Sequence, residues 1–158
     1  LGLMIGFAFW WTYFDFAGSR RPRTDGGRVS HWMFGHLPAT MSIAATGAAM
    51  VSLVEHAADD RAPAATAWLL SGAVALGLVS LIAIIRTLTD YGRFPDVCQP
   101  LTWALALAAL ASILVGALRP APWLLALLLV AVLSLVWFFA IGLWVKSGDP
   151  DATVAATD

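Results

Sequence analysis

Charge, cysteine and lysine are all scarce in this chain, and each scarcity removes a class of explanation. Only 12% of the 158 residues are charged, against roughly a quarter in soluble domains. Net charge is −1, and the charges sit in short polar stretches rather than along the chain. No acidic or basic domain exists, so a nucleic-acid partner is not expected. Cys98 is the single cysteine, so no intrachain disulfide can form, and its plain reading is a small residue at a helix edge. Lys146 is the one lysine and closes the last apolar run, a poor place for a retinal Schiff base. No Asp, Glu, Lys, Arg or His falls near the middle of any long apolar run. A pump or ion-coupled transporter usually needs one there, so such a function has weak support. Nor is there a GxSxG, HExxH or Walker-type motif. Nothing supports an enzyme, no catalytic or metal-binding set stands out, and no cofactor is implied.

What the chain does have is apolar length. Hydrophobic residues make up 60% of it and the mean hydropathy is +0.81. The expected fold is an all-α integral membrane bundle of about five transmembrane helices, with the lipid bilayer as first partner. The spans fall at about 1–16, 37–57, 64–85, 101–118 and 123–145. Together they form one polytopic domain over 1–146, with a short tail at 147–158. Pro38, Pro63 and Pro100 stand at or just before the expected starts of the second, third and fourth helices, the usual place for proline.

The first run, 1–14, would make a helix of only about 21 Å at 1.5 Å per residue, short of the ~30 Å hydrocarbon core. The chain starts without methionine and shows no basic start or small-residue cleavage site. The expectation is therefore a truncated first helix in the C-terminal portion of a longer protein. Its missing N-terminal helices would then be partners, and a homo-oligomer stays open.

Basic residues give an orientation. Arg20, Arg21, Arg23 and Arg28 lie in the first loop, Arg86 and Arg93 in the third, and Lys146 beside the tail. Only Arg61 and Arg119 lie in the second and fourth loops. The alternation places the first loop, third loop and C-terminus in the cytoplasm. Trp10, Trp11, Trp32, Trp68, Trp103, Trp123 and Trp144 fall mostly near span ends, as an aromatic belt would.

Within this frame one acid is oddly placed. In "FWWTYFDFAGSRRPR", Asp15 sits at a helix C-terminus, where the negative end of the macrodipole disfavours it by several tenths of a kcal/mol. It needs a cation. Arg20, Arg21 and His36 are the candidates, with His36 brought to the same face if Pro38 opens the second helix. The readings in order are a solvated acid, a structural pair locking helices 1 and 2, and a proton or ligand site.

The second helix is the most polar span. Ser42 and Thr46, among small residues from Ala44 to Ala49, would let a neighbour approach closely with hydroxyls bonding across. Tight packing is the first reading and a polar pathway the alternative. Glu55 and His56 close this helix, and adjacent side chains that point apart make a poor metal pair. Ala104, Ala108, Ser112 and Gly116 form a small-residue seam on the fourth helix, and Ala73 and Gly77 one on the third. Ser134 is the one polar residue away from the ends of the fifth, which reads as an outer, lipid-facing helix.

"WWTYFDFAG", then "HWMFGHLPATMSIAATGAAMVSLVEHA", resembles the bacterial low temperature requirement protein A (LtrA) family. Its members carry a Trp-Tyr-Phe-Asp segment ending one helix and a His-x-Pro start to a small-residue-rich next helix that ends in an acid. Those elements fall here on Trp11, Tyr13, Phe14 and Asp15, then His36 and Pro38, then Gly47 and Glu55. The stretch 69–87 resembles the following family helix more loosely. The resemblance implies a multi-pass protein of the bacterial cytoplasmic (inner) membrane, associated with growth in the cold and without an established molecular activity. The alternatives from other classes are a transporter or channel along the second helix, and a non-catalytic packing or assembly module of a larger membrane protein.

Overall fold

A computed structural model describes residues 2–13 and 27–146. Six helices follow in order: α1 (Gly2–Tyr13), α2 (Arg28–Glu55), α3 (Ala64–Thr87), α4 (Asp90–Arg93), α5 (Pro95–Leu118) and α6 (Pro122–Lys146). No strand element occurs among the described residues. α2, α3, α5 and α6 are long and apolar enough to cross a membrane. At 1.5 Å per residue, a 24-residue helix such as α3 or α5 runs about 36 Å, longer than a ~30 Å hydrocarbon core. α1 has 12 residues and is not among those four. Residues 14–16 of the expected first span, and the tail at 147–158, lie outside the described residues.

Two helices start earlier than their prolines suggest. α2 begins at Arg28, so Pro38 is inside it. α5 begins at Pro95, with Pro95 at the helix start and Pro100 inside. The expectation that helix 2 opens at Pro38 is therefore corrected. A proline removes one N–H from the ladder and crowds one carbonyl, yet Val29, Trp32, Met33 and Phe34 continue the apolar helical run ahead of it. Gly27, at φ 75°, supplies the left-handed turn from which α2 starts. α4 is a single turn in the third loop that periodicity does not reveal.

α3 is the hub of the bundle. Fourteen of its 24 residues are buried, because α2 packs along one flank and α5 along the other. α6 packs on α5, and α1 lies against α6 and, less extensively, α2. Two contacts fix the antiparallel register of α2 and α3. Near one end Gly35 lies so close to Ile84 that an added Cβ would be 3.0 Å from Ile84 Cγ1. Near the other, the Ser52 and Thr66 hydroxyls are 2.6 Å apart.

The tightest approach is between α3 and α5. A Cβ built on Gly116 would overlap Ser71 Oγ, lie 2.6 Å from Ser71 Cβ and sit 3.2 Å from the Ala67 carbonyl oxygen. Ala108, Ser112 and Gly116 are all buried on this face of α5. Small side chains thus set the interhelical distance, as membrane interfaces require when van der Waals contact replaces hydrophobic exclusion.

The turns carry a second tie. The Ala62 N–H donates to the Pro120 carbonyl at 3.0 Å. Arg119 Nε and Nη2 both donate to the Ala62 carbonyl, at 3.3 and 3.2 Å. Ala62 is fully buried, so both its backbone groups are satisfied by the α5–α6 turn. Arg119 holds a left-handed conformation, φ 48° and ψ 56°, to reach it. The α2–α3 and α5–α6 connections therefore lie at the same end of the bundle.

Candidate functional site

The polar residues singled out in the sequence do not form one open site. Asp15, Arg20 and Arg21 lie outside the described residues. His36 lies eight residues into α2, about 12 Å from its start at 1.5 Å per residue, rather than in a first turn. It is partly buried, and its Nδ1 is 2.6 Å from the Trp32 carbonyl oxygen. Its ring meets the Trp32 indole edge-on at 4.5 Å between centroids. Pro38, lacking its N–H, also leaves the Phe34 carbonyl without its intrahelical donor.

The same fixing of imidazoles recurs. His31 Nδ1 is 2.8 Å from the Gly27 oxygen and His56 Nδ1 is 2.8 Å from the Ser52 oxygen. All three histidines thus bond the carbonyl four residues back, a local geometry that needs no metal. Among the described residues no group of three His, Cys, Asp or Glu side chains is placed to hold a metal ion.

Ser42 and Thr46 are covered by protein, at 1% and 5% exposure. Extending the Gly35–Ile84 and Ser52–Thr66 register brings them level with the middle of α3, near Gly77 and Ala73. The expected hydroxyl bonds across the seam are corrected here. Ser42 Oγ donates to the Ala39 carbonyl of its own helix at 2.7 Å, and Thr46 Oγ1 is buried with no partner. Ser71, Ser80, Thr87, Thr102 and Ser112 likewise donate within their own helices. A hydroxyl can satisfy itself on a carbonyl three or four residues back, so hydroxyls in a span do not by themselves signal a polar path. Among the described residues a hydroxyl pair that does cross is Ser52–Thr66, which the sequence reading passed over. Glu55, at the end of α2, is exposed.

A cavity of about 460 Å³ lies elsewhere, between α1 and α6. Leu3, Phe7 and Trp11 line it from α1, and Leu133, Ser134 and Trp137 from α6. Trp11 and Trp137 meet edge-on at 6.3 Å, and Phe7 packs beside Trp11 at 5.4 Å. The Trp137 indole N–H is buried without an acceptor. A tryptophan that falls at the middle of a span, away from the interfacial belt, was the signal in the sequence, together with Ser134 three residues before it. α6 accordingly has two faces. Leu125, Leu129, Leu133 and Val136 are buried, whereas Leu135, Phe138 and Val145 are exposed.

Four long apolar helices around a closed seam, with most of its hydroxyls bonded inside their own helices, define an all-helical multi-pass membrane protein. The model of the family described as bacterial low temperature requirement A protein (LtrA) matches residues 1–133, and the chain belongs to that family. The match runs from α1 into the middle of α6, well beyond the first half that carries the motif resemblance. No curated protein and no solved structure matches the chain.

Proposed function

We propose that this chain is a packing module of an LtrA-family protein in the bacterial cytoplasmic membrane, needed for growth at low temperature through its helix assembly rather than through chemistry of its own. The observation that carries this reading is the covered α2–α3 seam, with Ser42 and Thr46 at 1% and 5% exposure. A transporter or channel along α2 would want those hydroxyls in water, so it is the weaker reading. The first loop, third loop and C-terminus face the cytoplasm in this proposal. The shared end of the two connections holding Arg61 and Arg119 supports an alternating arrangement, and the excess of basic residues in the other loops supports its direction. α1 serves as a fifth span, held to α2 by a pair between Asp15 and His36 or the Arg20 and Arg21 side chains.

The test is complementation. A strain lacking the protein is grown in the cold with the wild-type chain, Asp15→Asn or His36→Gln, while membrane level and melting temperature are measured for each. If packing is the role, growth should fall in step with folded level, and the double variant should lose no more than the worse single one. Loss of cold growth by Asp15→Asn at unchanged level and melting temperature would show that the acid does chemistry or transport, and would overturn the proposal. Alkaline phosphatase fusions after residues 61, 93 and 119 test the orientation. They should be active only at the first and last.

A further inference from the structure

We propose that α2 is hinged at Pro38, and that its first part, 28–37, is a helical arm that swings away from α3 while the rest of the helix stays packed. Burial divides α2 at this point. From Val29 to Met41 no side chain is buried, whereas Ser42, Thr46, Ala49 and Leu53 beyond it all are. Those four recur at three- and four-residue spacing, so one continuous stripe anchors the later part of α2. The arm has no such stripe. It meets α3 where Gly35 faces Ile84, a contact to which α2 brings no side chain, and Trp32 is only partly buried against the core.

The backbone is weakest at the same place. Pro38 has no N–H for the Phe34 carbonyl, and its ring crowds that carbonyl. Sharp bends in helices concentrate at such residues. The side-chain bonds nearby respect the division. His36 Nδ1 reaches the Trp32 carbonyl at 2.6 Å inside the arm, and Ser42 Oγ donates to the Ala39 carbonyl at 2.7 Å beyond it. Thr40 Oγ1 donates to the Leu37 carbonyl at 2.8 Å and spans the proline, a back-bonded geometry that bends helices rather than stiffening them. Hydrocarbon offers the other carbonyls no substitute donors, so the arm stays helical and moves as one piece.

A second position of the arm has a driving force. In the packed position the Trp32 indole N–H is buried with no partner, which costs its desolvation. Trp32 lies four residues into α2, about 6 Å from its start. The helix has 28 residues and runs about 42 Å, longer than a ~30 Å hydrocarbon core. Its first turns therefore reach interfacial water, and swinging outward brings the N–H to that water at the loss of the Gly35–Ile84 contact. Two such opposed effects are the condition for two populated positions. A bend of about 20° at Pro38 carries residue 30, about 12 Å along the axis, through about 4 Å.

Distances between paired spin labels test the hinge in the full chain, reconstituted in lipid nanodiscs. In a Cys98→Ser background, Ser30→Cys with Leu107→Cys on α5 reads the arm, and Val51→Cys with Leu114→Cys reads the anchored part. All four positions are exposed. The first pair should give a distribution about twice as wide as the second, extended by about 4 Å on its long side. Pro38→Ala restores the missing N–H and should narrow the first pair to the width of the second. Gly35→Leu, which wedges the arm off Ile84, should move the first pair to the long distance. The second pair should stay unchanged in both variants, which shows that the bundle is folded. A first pair as narrow as the second would overturn the proposal. So would a width that survives Pro38→Ala, the result expected if the start of α2 only frays.

Discussion

Gly116→Ala should be among the most damaging single-methyl changes in this bundle. The added Cβ would overlap Ser71 Oγ and lie 2.6 Å from Ser71 Cβ and 3.2 Å from the Ala67 carbonyl. None of these atoms can step aside cheaply. The Ser71 hydroxyl is held by its 2.7 Å bond to Ala67, its Cβ moves only with the α3 backbone, and Ala67 is itself fully buried. α3 and α5 must therefore separate locally. Overpacking of this kind costs about 1–3 kcal/mol, partly offset by the ~0.5–1 kcal/mol by which Ala exceeds Gly in a helix interior. A net loss of roughly 1–2 kcal/mol is expected.

Gly47→Ala is the internal control. It lies inside α2 with no atom within 4 Å of an added Cβ, so only the propensity gain of about 0.5–1 kcal/mol remains. The two substitutions should have opposite signs. Ser71→Gly added to Gly116→Ala supplies the double-mutant test, because it removes the atoms that clash. The pair should show a favourable coupling of at least ~1 kcal/mol. Reversible unfolding in mixed micelles of detergent and SDS, followed by far-UV circular dichroism, measures wild type, Gly47→Ala, Gly116→Ala, Ser71→Gly and the double variant. Gly116→Ala within 0.5 kcal/mol of wild type, or no recovery on adding Ser71→Gly, would refute the claim that this contact sets the α3–α5 distance.

Other substitutions read out separate parts of the structure. Arg119→Ala loses both guanidinium bonds to Ala62 while keeping a side chain at φ 48°, and should cost about 2–3 kcal/mol. Arg119→Gly loses the same bonds but relieves the left-handed strain, so it should be milder by about 1 kcal/mol in the same unfolding assay. The Ser52–Thr66 bond at 2.6 Å should give a coupling near 0.6 kcal/mol in a Ser52→Ala, Thr66→Ala cycle, a typical value for hydrogen bonds between membrane helices. Gly35→Ala should cost less than Gly116→Ala, because its nearest neighbour, Ile84 Cγ1, is 3.0 Å from the added Cβ and must give by only a few tenths of an ångström, whereas the Gly116 Cβ overlaps Ser71.

The parts of this fold that were legible in the sequence are those set by a long average. Four apolar runs read correctly as long helices because hydropathy is summed over about twenty residues, and one misplaced residue cannot hide it. The ends of α3 and α6 fall within two residues of the reading for the same reason. Local signals did worse. Pro38 and Pro100 looked like helix starts, yet each lies inside a helix, because a buried or lipid-facing backbone has no water to turn to and helix continuation is the least costly way to satisfy the remaining groups. The error then propagated to His36, whose expected position at the membrane boundary rested on where α2 begins.

Hydroxyl-bearing residues were the other blind spot, and the reason is general. Ser42, Ser71, Ser80 and Ser112 carry the same groups as Ser52, but each bonds a carbonyl in its own helix, whereas Ser52 bonds Thr66 across the interface. Nothing in one chain's sequence distinguishes the two outcomes, since both depend on which residue stands opposite. The small-residue seam was readable on α5 as Ala104, Ala108, Ser112 and Gly116, but that Gly116 meets Ser71 and Ala67 of α3 was not. Spacing locates a face, and only register locates its neighbour. The same limit holds for the α1–α6 cavity. Ser134 was visible as an exception in an apolar helix and Trp137 was not singled out, and both meet a neighbour, Trp11 on α1, that lies more than a hundred residues away in the chain.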